Sequence, residues 1–178
     1  MITSSSSNST ESGAIDVAEY DYPTEPMRWV VEEVLHDHLL FGYARRDETP
    51  QFDADGALLP PTRHCVYTLE CQQPVVPDFD AYVNRKLEQR TDDKAPIRWD
   101  SAALSASRVF YVGYTGNIFE RLVRHTCDAQ SGSLFTAVFP PERLHRIDWY
   151  ETKAEAGKAE TDTADEMRSR KDWFVYSI

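Results

Sequence analysis

The hydrophobic pattern of the chain is clearest over residues 109–125, VFYVGYTGNIFERLVRH. The β-branched and aromatic residues 109–112 predict a buried strand, and the turn-forming residues 113–117 are expected to end it. Asn117 then fits the N-cap of a helix, with Glu120 at the third helical position, where the helix dipole favours an acid. The sequence therefore predicts a strand, a turn and a capped helix in immediate succession.

Similar patterns predict further elements on both sides of this unit. Alternating residues predict strands over 65–71 and 143–151. Apolar residues at helical spacing predict helices over 78–90 and from about 153 to 169. Residues 172–178 predict a last strand or a docked tail. Strands and helices are thus expected to alternate along most of the second half of the chain.

Alternation also assigns side chains to the faces of the two outer strands. On the strand over 65–71, Tyr67 projects from a face that is expected to be half core and half cleft. On the strand over 143–151, strict alternation places Leu144 and Ile147 on opposite faces.

The N-terminal third of the chain has a different character. Residues 1–25 are serine-rich and acidic with few aliphatic side chains, which predicts a disordered tail. Within residues 26–63, apolar residues at helical spacing predict a helix that ends near Gly42. Prolines and a glycine over 43–63 then predict a linker. The domain proper is expected over residues 64–178.

Two short motifs within these elements resemble those of a known family. Tyr111-Val112-Gly113, followed by Arg121 and His125, resembles the second half of a GIY-YIG nuclease domain. Cys65-Val66-Tyr67 stands in the place of the first motif. The resemblance implies an α/β (α+β) fold, in which a small, mainly antiparallel three-stranded sheet is flanked by helices. Residues 72–108 separate the two motifs and are expected to form an insertion.

The resemblance also implies a metal-dependent endonuclease that acts on DNA with one divalent ion, Mg²⁺ or Mn²⁺. Tyr67 resembles the tyrosine that activates the attacking water or lies beside it, and Tyr111 resembles its hydrogen-bonding partner. Arg121 resembles the arginine that holds the scissile phosphate, and Glu160 resembles the metal-binding glutamate. His125 is expected to assist the phosphate or the base, or to cap the helix.

These residue types suit phosphodiester hydrolysis on physical grounds. The reaction places negative charge on the non-bridging and leaving oxygens, so a fixed guanidinium and a metal ion together stabilise its transition state. A single carboxylate suits Mg²⁺, which keeps several water ligands. A tyrosine with an ordinary pKa of about 10 is a poor base at neutral pH, and it needs a neighbouring cation to help it.

Each candidate residue also has an ordinary structural interpretation. Tyr67 and Tyr111 fit core residues of two strands. Arg121 fits a surface ion pair, and Glu160 fits the solvated face of an acid-rich helix. The joint order of these residues along the chain, rather than any one of them, carries the resemblance.

Two departures from the family pattern keep other functions open. Cys65 stands where the family has glycine, and no asparagine follows Asn117, although some family members use a late one. A first rival is a catalytically weak GIY-YIG domain that binds nucleic acid or a protein partner. A second is a small-molecule or regulatory α/β domain whose resemblance to the family is confined to the motif. A cleft in which the site residues converge separates the first two functions from the third.

The acidic composition argues against a DNA partner unless something offsets the negative charge. Asp and Glu outnumber Lys and Arg by 30 to 19, the net charge is −11, and there are five lysines. Such a surface repels DNA unless salt screens it. The acid excess leads to the hypothesis of a halophilic protein, because the Debye length falls to about 3 Å at 1 M salt. A basic surface beside the cleft, built from Arg124, Arg143 and Arg146, would favour DNA over a protein partner.

Targeting signals and cysteine spacing give further expectations. No apolar run reaches the roughly 20 residues that span a bilayer, and the serine-rich N-terminus lacks the apolar segment of a signal peptide. A cytoplasmic protein without a membrane partner is expected. Cys65, Cys71 and Cys127 match no zinc-ligand spacing and predict small buried or half-buried thiols. The sequence gives no signal for the oligomeric state.

Overall fold

The computed structural model describes residues 35–89, 101–126 and 132–177. The expected disordered tail over residues 1–25 and the first part of the N-terminal helix lie outside these ranges, as does Cys127. Within the described ranges, no helix is long and apolar enough to cross a bilayer.

Four strands and six helices are present in these ranges. The strands are β1 (His64–Cys71), β2 (Arg108–Thr115), β3 (Pro141–Tyr150) and β4 (Trp173–Ser177). The helices are α1 (Leu35–Arg46), α2 (Phe79–Glu88), α3 (Ser101–Ser105), α4 (Ile118–Thr126), α5 (Leu134–Val138) and α6 (Lys153–Arg168). The protein is therefore of the α+β class, and the predicted elements are present, with α3 and α5 as additions.

The strands form one sheet in the order β3-β1-β2-β4. β1 pairs antiparallel with β2 and with β3, whereas β4 pairs parallel with β2. The expectation of a three-stranded, mainly antiparallel sheet is therefore wrong, because the sheet has four strands and is mixed. After β3 the chain crosses one face of the sheet as α6 and returns as β4 at the edge of β2. A crossover of this kind makes β4 parallel to β3, and therefore also parallel to β2.

β2 is longer than its hydrophobic pattern predicts. The turn was expected to begin at Gly113, but the strand continues to Thr115. Gly113 lies opposite Tyr67, and Thr115 lies opposite Cys65, so pairing with β1 keeps this segment extended. The turn before α4 is consequently confined to Gly116 and the residue after it.

A β-bulge in β3 overturns the expected alternation of that strand. Tyr67 lies opposite Ile147 and Leu69 lies opposite Leu144, so one more residue is inserted in β3 than in β1. The inserted residue, His145, shifts the later side chains to the other face. Leu144 and Ile147 are therefore both buried in the same core cluster, at 3% and 4% exposure.

The sheet is covered on both faces. One face packs against α1, α4 and α5, and the residues buried there include Leu39, Tyr67, Leu69, Tyr111, Leu122 and Phe135. The other face packs against α6 through Val66, Phe110, Val112, Ala156, Ala164 and Met167. Cys65 and Cys71 are buried free thiols, as expected, and burial raises the pKa of Cys65 to about 12. The alternation of β1 and β2 thus places both candidate tyrosines on the face that α4 covers.

Helix α1 runs past its predicted end. Gly42 was expected to end it, but the helix continues to Arg46. An added Cβ at Gly42 would lie 2.3 Å from Trp149 Nε1 and 2.9 Å from Pro61 Cγ. The glycine therefore permits close packing of α1 against β3 rather than helix termination.

The expected insertion carries two helices in its described part. α2 confirms the helix predicted from residue 78, and the Asp78 carboxylate accepts a hydrogen bond from the Ala81 backbone N–H at 2.9 Å. The side chain of Gln73 donates to the carbonyl oxygens of Ala103 and Ala106 at 2.8 Å, which fixes α3 to the end of β1. Residues 90–100 lie outside the described ranges.

Candidate active site

Two tyrosines from neighbouring strands form the base of the site. β1 carries Tyr67 and β2 carries Tyr111, and they are diagonal neighbours because Tyr67 lies opposite Gly113. Their ring centroids are 6.0 Å apart, and both side chains are 0% exposed. The interpretation of these tyrosines as core residues is therefore correct for their rings, and their hydroxyl groups decide whether they do more.

Gly113 makes room for this arrangement. An added Cβ there would lie 2.6 Å from the Tyr67 hydroxyl oxygen and 2.9 Å from Tyr111 Cε1. The Tyr67 phenol therefore lies directly across the backbone of β2, which a larger residue would prevent. The third residue of the Tyr-Val-Gly motif thus has a steric reason to be glycine.

Helix α4 brings Arg121 onto the two hydroxyl groups. Asn117 caps the helix as predicted, because its Oδ1 accepts a hydrogen bond from the Glu120 backbone N–H at 3.2 Å. Arg121 Nε donates to the Tyr67 hydroxyl oxygen at 3.0 Å, and Arg121 Nη2 donates to the Tyr111 hydroxyl oxygen at 3.2 Å. The guanidinium is thus fixed by two phenols rather than by a surface ion pair.

His125 lies one turn further along the same face and is buried, at 6% exposure. Its Nε2 lies 2.7 Å from the Tyr67 hydroxyl oxygen, and its Nδ1 lies 2.8 Å from Oγ1 of Thr136 on α5. Both ring nitrogens are therefore engaged by side chains, so His125 does not act as a helix cap. It belongs to the same hydrogen-bonded cluster as Tyr67 and Arg121.

The electrostatics of this cluster keep the phenols and the imidazole neutral. Burial raises the pKa of Tyr67 well above its usual value, and Tyr111 raises it further, while Arg121 opposes the rise. Burial likewise raises the pKa of Tyr111. Burial lowers the pKa of His125 to about 3, with a further contribution from Arg121. Burial also lowers the pKa of Arg121, but the two phenols raise it by more, so the guanidinium remains charged.

The neutral, buried state of His125 predicts a pH-dependent stability. Because its pKa falls from about 6.5 in the unfolded chain to about 3 in the folded protein, the unfolded state binds the extra proton between these values. We expect the free energy of unfolding to fall as the pH drops below about 6.5, with a slope from this residue of up to about 1.4 kcal/mol per pH unit. Urea unfolding at pH 7 and pH 5 measures it, and His125→Gln should have the smaller slope. Equal slopes in the two proteins would contradict the prediction.

Glu160 approaches the site from α6, on the other side of the sheet. α6 begins with a capping box formed by Thr152 and Glu155. Glu160 is buried, at 5% exposure, which excludes its interpretation as part of a solvated helix face. Within the described residues the pairing of β4 with β2 ends at Val112. Glu160 lines the same cleft as Gly113, the next residue of β2.

Tyr111, Arg121 and Glu160 line one cleft of about 530 Å³. Its acidic and phenolic donors are the carboxylates of Glu120 and Glu160 and the hydroxyl groups of Tyr111 and Tyr114, and no His or Cys lines it. The described residues hold no group of three or more His, Cys, Asp or Glu side chains suited to a metal. This set does not fit a zinc site, which takes several nitrogen or sulfur ligands. It fits Mg²⁺ or Mn²⁺, because a hard ion accepts one or two carboxylates and completes its shell with water.

The cations around the cleft differ from those expected. Arg124 lines the cleft but pairs with Glu120. Arg143 and Arg146 lie on β3, which β1 separates from β2, and each pairs with an acid. The basic surface that would favour DNA over a protein partner is therefore not built from these three arginines. Lys153 lines the cleft instead, and among the described residues it makes no ion pair.

Sequence reasoning missed two residues of the site. Lys153 opens α6, and nothing in its surroundings in the sequence points to a cleft. Thr136 lies in a short apolar run, and no spacing relates it to His125. A signal was available for the burial of Glu160, because it lies four residues after Ala156 and four before Ala164 on the buried stripe of α6.

Comparison with known proteins gives no relative from which a function could be transferred. No protein-family model matches the chain, and no curated protein or solved structure matches it. The function must therefore be inferred from the chemistry of the cleft and from the motifs that line it.

Proposed function

We propose that the protein is a metal-dependent endonuclease of the GIY-YIG type that hydrolyses phosphodiester bonds in DNA. The observation that carries this proposal is the position of the Arg121 guanidinium, which two tyrosine hydroxyl groups hold in a cleft that also contains Glu160. The five residues selected from the sequence thus lie together: Tyr67, Tyr111, Arg121 and His125 in one hydrogen-bonded cluster, and Glu160 in the cleft beside it. Core tyrosines or a surface arginine would not require this convergence.

Arg121 is the group that binds the scissile phosphate. Its two hydrogen bonds to the tyrosines use Nε and one donor of Nη2, and the guanidinium has further N–H donors that can face the cleft. A planar guanidinium matches two phosphate oxygens, and its interaction strengthens as charge develops on them. Because the tyrosines fix its orientation before substrate binds, little reorganisation is needed during the reaction.

Glu160 is the residue that would hold the divalent cation. When bound there, Mg²⁺ or Mn²⁺ would supply Lewis-acid stabilisation of the phosphate oxygens and lower the pKa of a bound water. Glu160 contributes the negative charge that attracts the ion, and Lys153 contributes a second positive charge to the cleft wall.

The two tyrosines have different positions relative to the cleft. Tyr111 lines it, so its hydroxyl group can orient a water molecule or a phosphate oxygen there. The hydroxyl group of Tyr67 is occupied by Arg121 and His125 beneath the cleft. Since burial raises both pKa values, a neutral phenol is the form present at pH 7. We therefore assign to Tyr67 the positioning of Arg121 and to Tyr111 the contact with substrate.

The acidic surface favours a second function, a GIY-YIG-like domain that binds nucleic acid or a protein without cutting. The net charge is −11, and Arg124 at the cleft is neutralised by Glu120. Both features weaken the attraction of a long polyanion. High salt would screen the repulsion but would also weaken binding. Nicking at some salt concentration would support the nuclease, whereas a binding module would nick no DNA at any salt concentration.

Glu160→Gln is expected to lower DNA nicking by about a hundredfold or more, because it removes the charge that attracts the ion but keeps the size of the side chain. Nicking of plasmid and branched DNA is measured with Mg²⁺ or Mn²⁺ from about 0.1 to 1 M salt, over which the Debye length falls from about 10 to 3 Å. Glu166→Gln, an exposed site on the same helix, is the matched control and should act like wild type.

The outcome that contradicts the nuclease is equally clear. If the folded wild-type protein nicks no DNA at any salt or metal concentration, the nuclease function is excluded. The second function, a domain that binds without cutting, then remains. Fluorescence anisotropy with labelled duplex and branched DNA then tells whether the partner is a nucleic acid. Nicking that survives chelation of the metal, or that is equal in Glu160→Gln and wild type, would exclude the role of Glu160.

A further inference from the structure

The hydrogen-bonded cluster extends beyond the cleft to α5. Thr136 is buried, at 2% exposure, and its Oγ1 lies 2.8 Å from His125 Nδ1 and 3.0 Å from the backbone carbonyl oxygen of Ser133. Four contacts thus join the Ser133 carbonyl, Thr136, His125, Tyr67 and Arg121 in one continuous series.

The direction of these hydrogen bonds follows from counting hydrogens. The Thr136 hydroxyl group has donor geometry to the Ser133 carbonyl oxygen, which can only accept and which also accepts from the Ala137 backbone N–H at 3.1 Å. We therefore place the single hydroxyl hydrogen of Thr136 in the hydrogen bond to Ser133. Thr136 Oγ1 must then accept from His125 Nδ1–H, which leaves Nε2 without a hydrogen in the neutral ring. Nε2 is therefore the acceptor of the Tyr67 hydroxyl hydrogen. The Tyr67 oxygen in turn accepts from Arg121 Nε–H.

The opposite tautomer of His125 breaks this order. With hydrogen on Nε2, both the imidazole and the guanidinium would donate to the Tyr67 oxygen. The hydroxyl hydrogen of Tyr67 would have to turn away from His125. Nδ1 would also face Thr136 as an acceptor, so the Thr136 hydroxyl could no longer serve both of its neighbours.

We infer that Thr136 is a positioning residue that fixes the tautomer of His125, and that through Tyr67 it sets the orientation of Arg121 in the cleft. The consequence for catalysis rests on the proposed nuclease function, whereas the assignment of the tautomer does not. Thr136 touches neither the cleft nor, in this arrangement, the substrate. It acts through three hydrogen bonds in series.

The packing of α5 explains how a short helix can hold such a position. The Ser133 side chain caps it by accepting from the Phe135 backbone N–H at 3.2 Å. Phe135 is 0% exposed, and its ring stacks on Tyr176 of β4 with centroids 4.5 Å apart. This aromatic contact next to Thr136 holds α5 against the sheet, on the face that α4 also covers.

The test compares Thr136→Val, which keeps the shape of the side chain but removes the hydroxyl group, with Thr136→Ser, which keeps the hydroxyl group. Long-range ¹H–¹⁵N spectra of the full-length protein report the tautomer of His125, assigned with His125→Gln. We expect the Nδ1–H tautomer in wild type and in Thr136→Ser, and its loss in Thr136→Val. A wild-type Nε2–H tautomer, or an unchanged tautomer in Thr136→Val, would overturn the assignment.

The second readout is catalysis. For Thr136→Val we expect kcat for DNA nicking to fall about ten- to hundredfold, as for residues that orient the groups of a site, with KM for DNA nearly unchanged and kcat restored in Thr136→Ser. A changed tautomer with wild-type kcat would exclude the effect on Arg121. If wild type nicks no DNA, the proposed function fails, and the tautomer measurement still decides the role of Thr136 within the cluster.

Discussion

Replacing Arg121 should remove the proposed nuclease activity while leaving a folded protein. We expect kcat/KM for DNA nicking to fall by about 10² to 10³-fold in Arg121→Ala, the range for removal of a fixed donor to a developing oxyanion. Arg121→Lys should be nearly as inactive. It keeps the positive charge but cannot donate to Tyr67, to Tyr111 and to a phosphate from one rigid plane.

Arg85→Ala is the matched control for this prediction. Arg85 is an exposed arginine on α2, outside the cleft, and its loss changes the net charge by the same amount. Equal losses in Arg121→Ala and Arg85→Ala would show that only the overall charge matters. Wild-type activity in Arg121→Lys would show that the fork geometry is not used, which would remove the main support for the proposed function.

Gly113→Ala should damage both stability and activity. The new Cβ would lie 2.6 Å from the Tyr67 hydroxyl oxygen, closer than real Cβ atoms come to any neighbour. The ring of Tyr67 is held by its hydrogen bonds to Arg121 and His125, so it can yield only by breaking them. We expect a loss of about 1–3 kcal/mol in the free energy of unfolding, the usual range for overpacking, together with a large fall in nicking. Urea denaturation and the nicking assay measure the two effects.

The same substitution at Gly157 should have the opposite effect on stability. Gly157 lies within α6, and an added Cβ would come no closer than 4.0 Å to the Tyr114 ring. We expect Gly157→Ala to gain about 0.5–1 kcal/mol, because alanine is the better helix former. If Gly113→Ala proved as stable as wild type, the tight contact between β2 and the Tyr67 phenol would not exist in solution.

The local elements were predictable because each carries its own signal in a few residues. The strand before Gly113, the cap at Asn117 and the helix that presents Arg121 all follow from side-chain type and spacing. The position of Arg121 and His125 on one face of α4 also follows, since residues four apart share a helix face. The sequence could therefore place these groups on one surface before their contacts were known.

The remaining features depend on contacts between distant parts of the chain. The bulge at His145 arises in the pairing of β3 with β1, and nothing in the alternation of β3 itself announces it. The parallel direction of β4 depends on the route of α6 across the sheet. Likewise, Thr136 reaches His125 only because α5 packs against α4, an arrangement that no local pattern encodes.

The pairing of β4 with β2 has a consequence for the order in which the site assembles. Tyr67, Tyr111 and Arg121 lie on β1, β2 and α4, which precede α6 in the chain, and their contacts can form before the rest has folded. Glu160 takes its place only when α6 has docked on the sheet and β4 has paired with the edge of β2, which requires contacts of long sequence separation. For the roles proposed for Arg121 and Glu160, this order predicts that a partly folded chain binds a phosphate before it binds the metal ion.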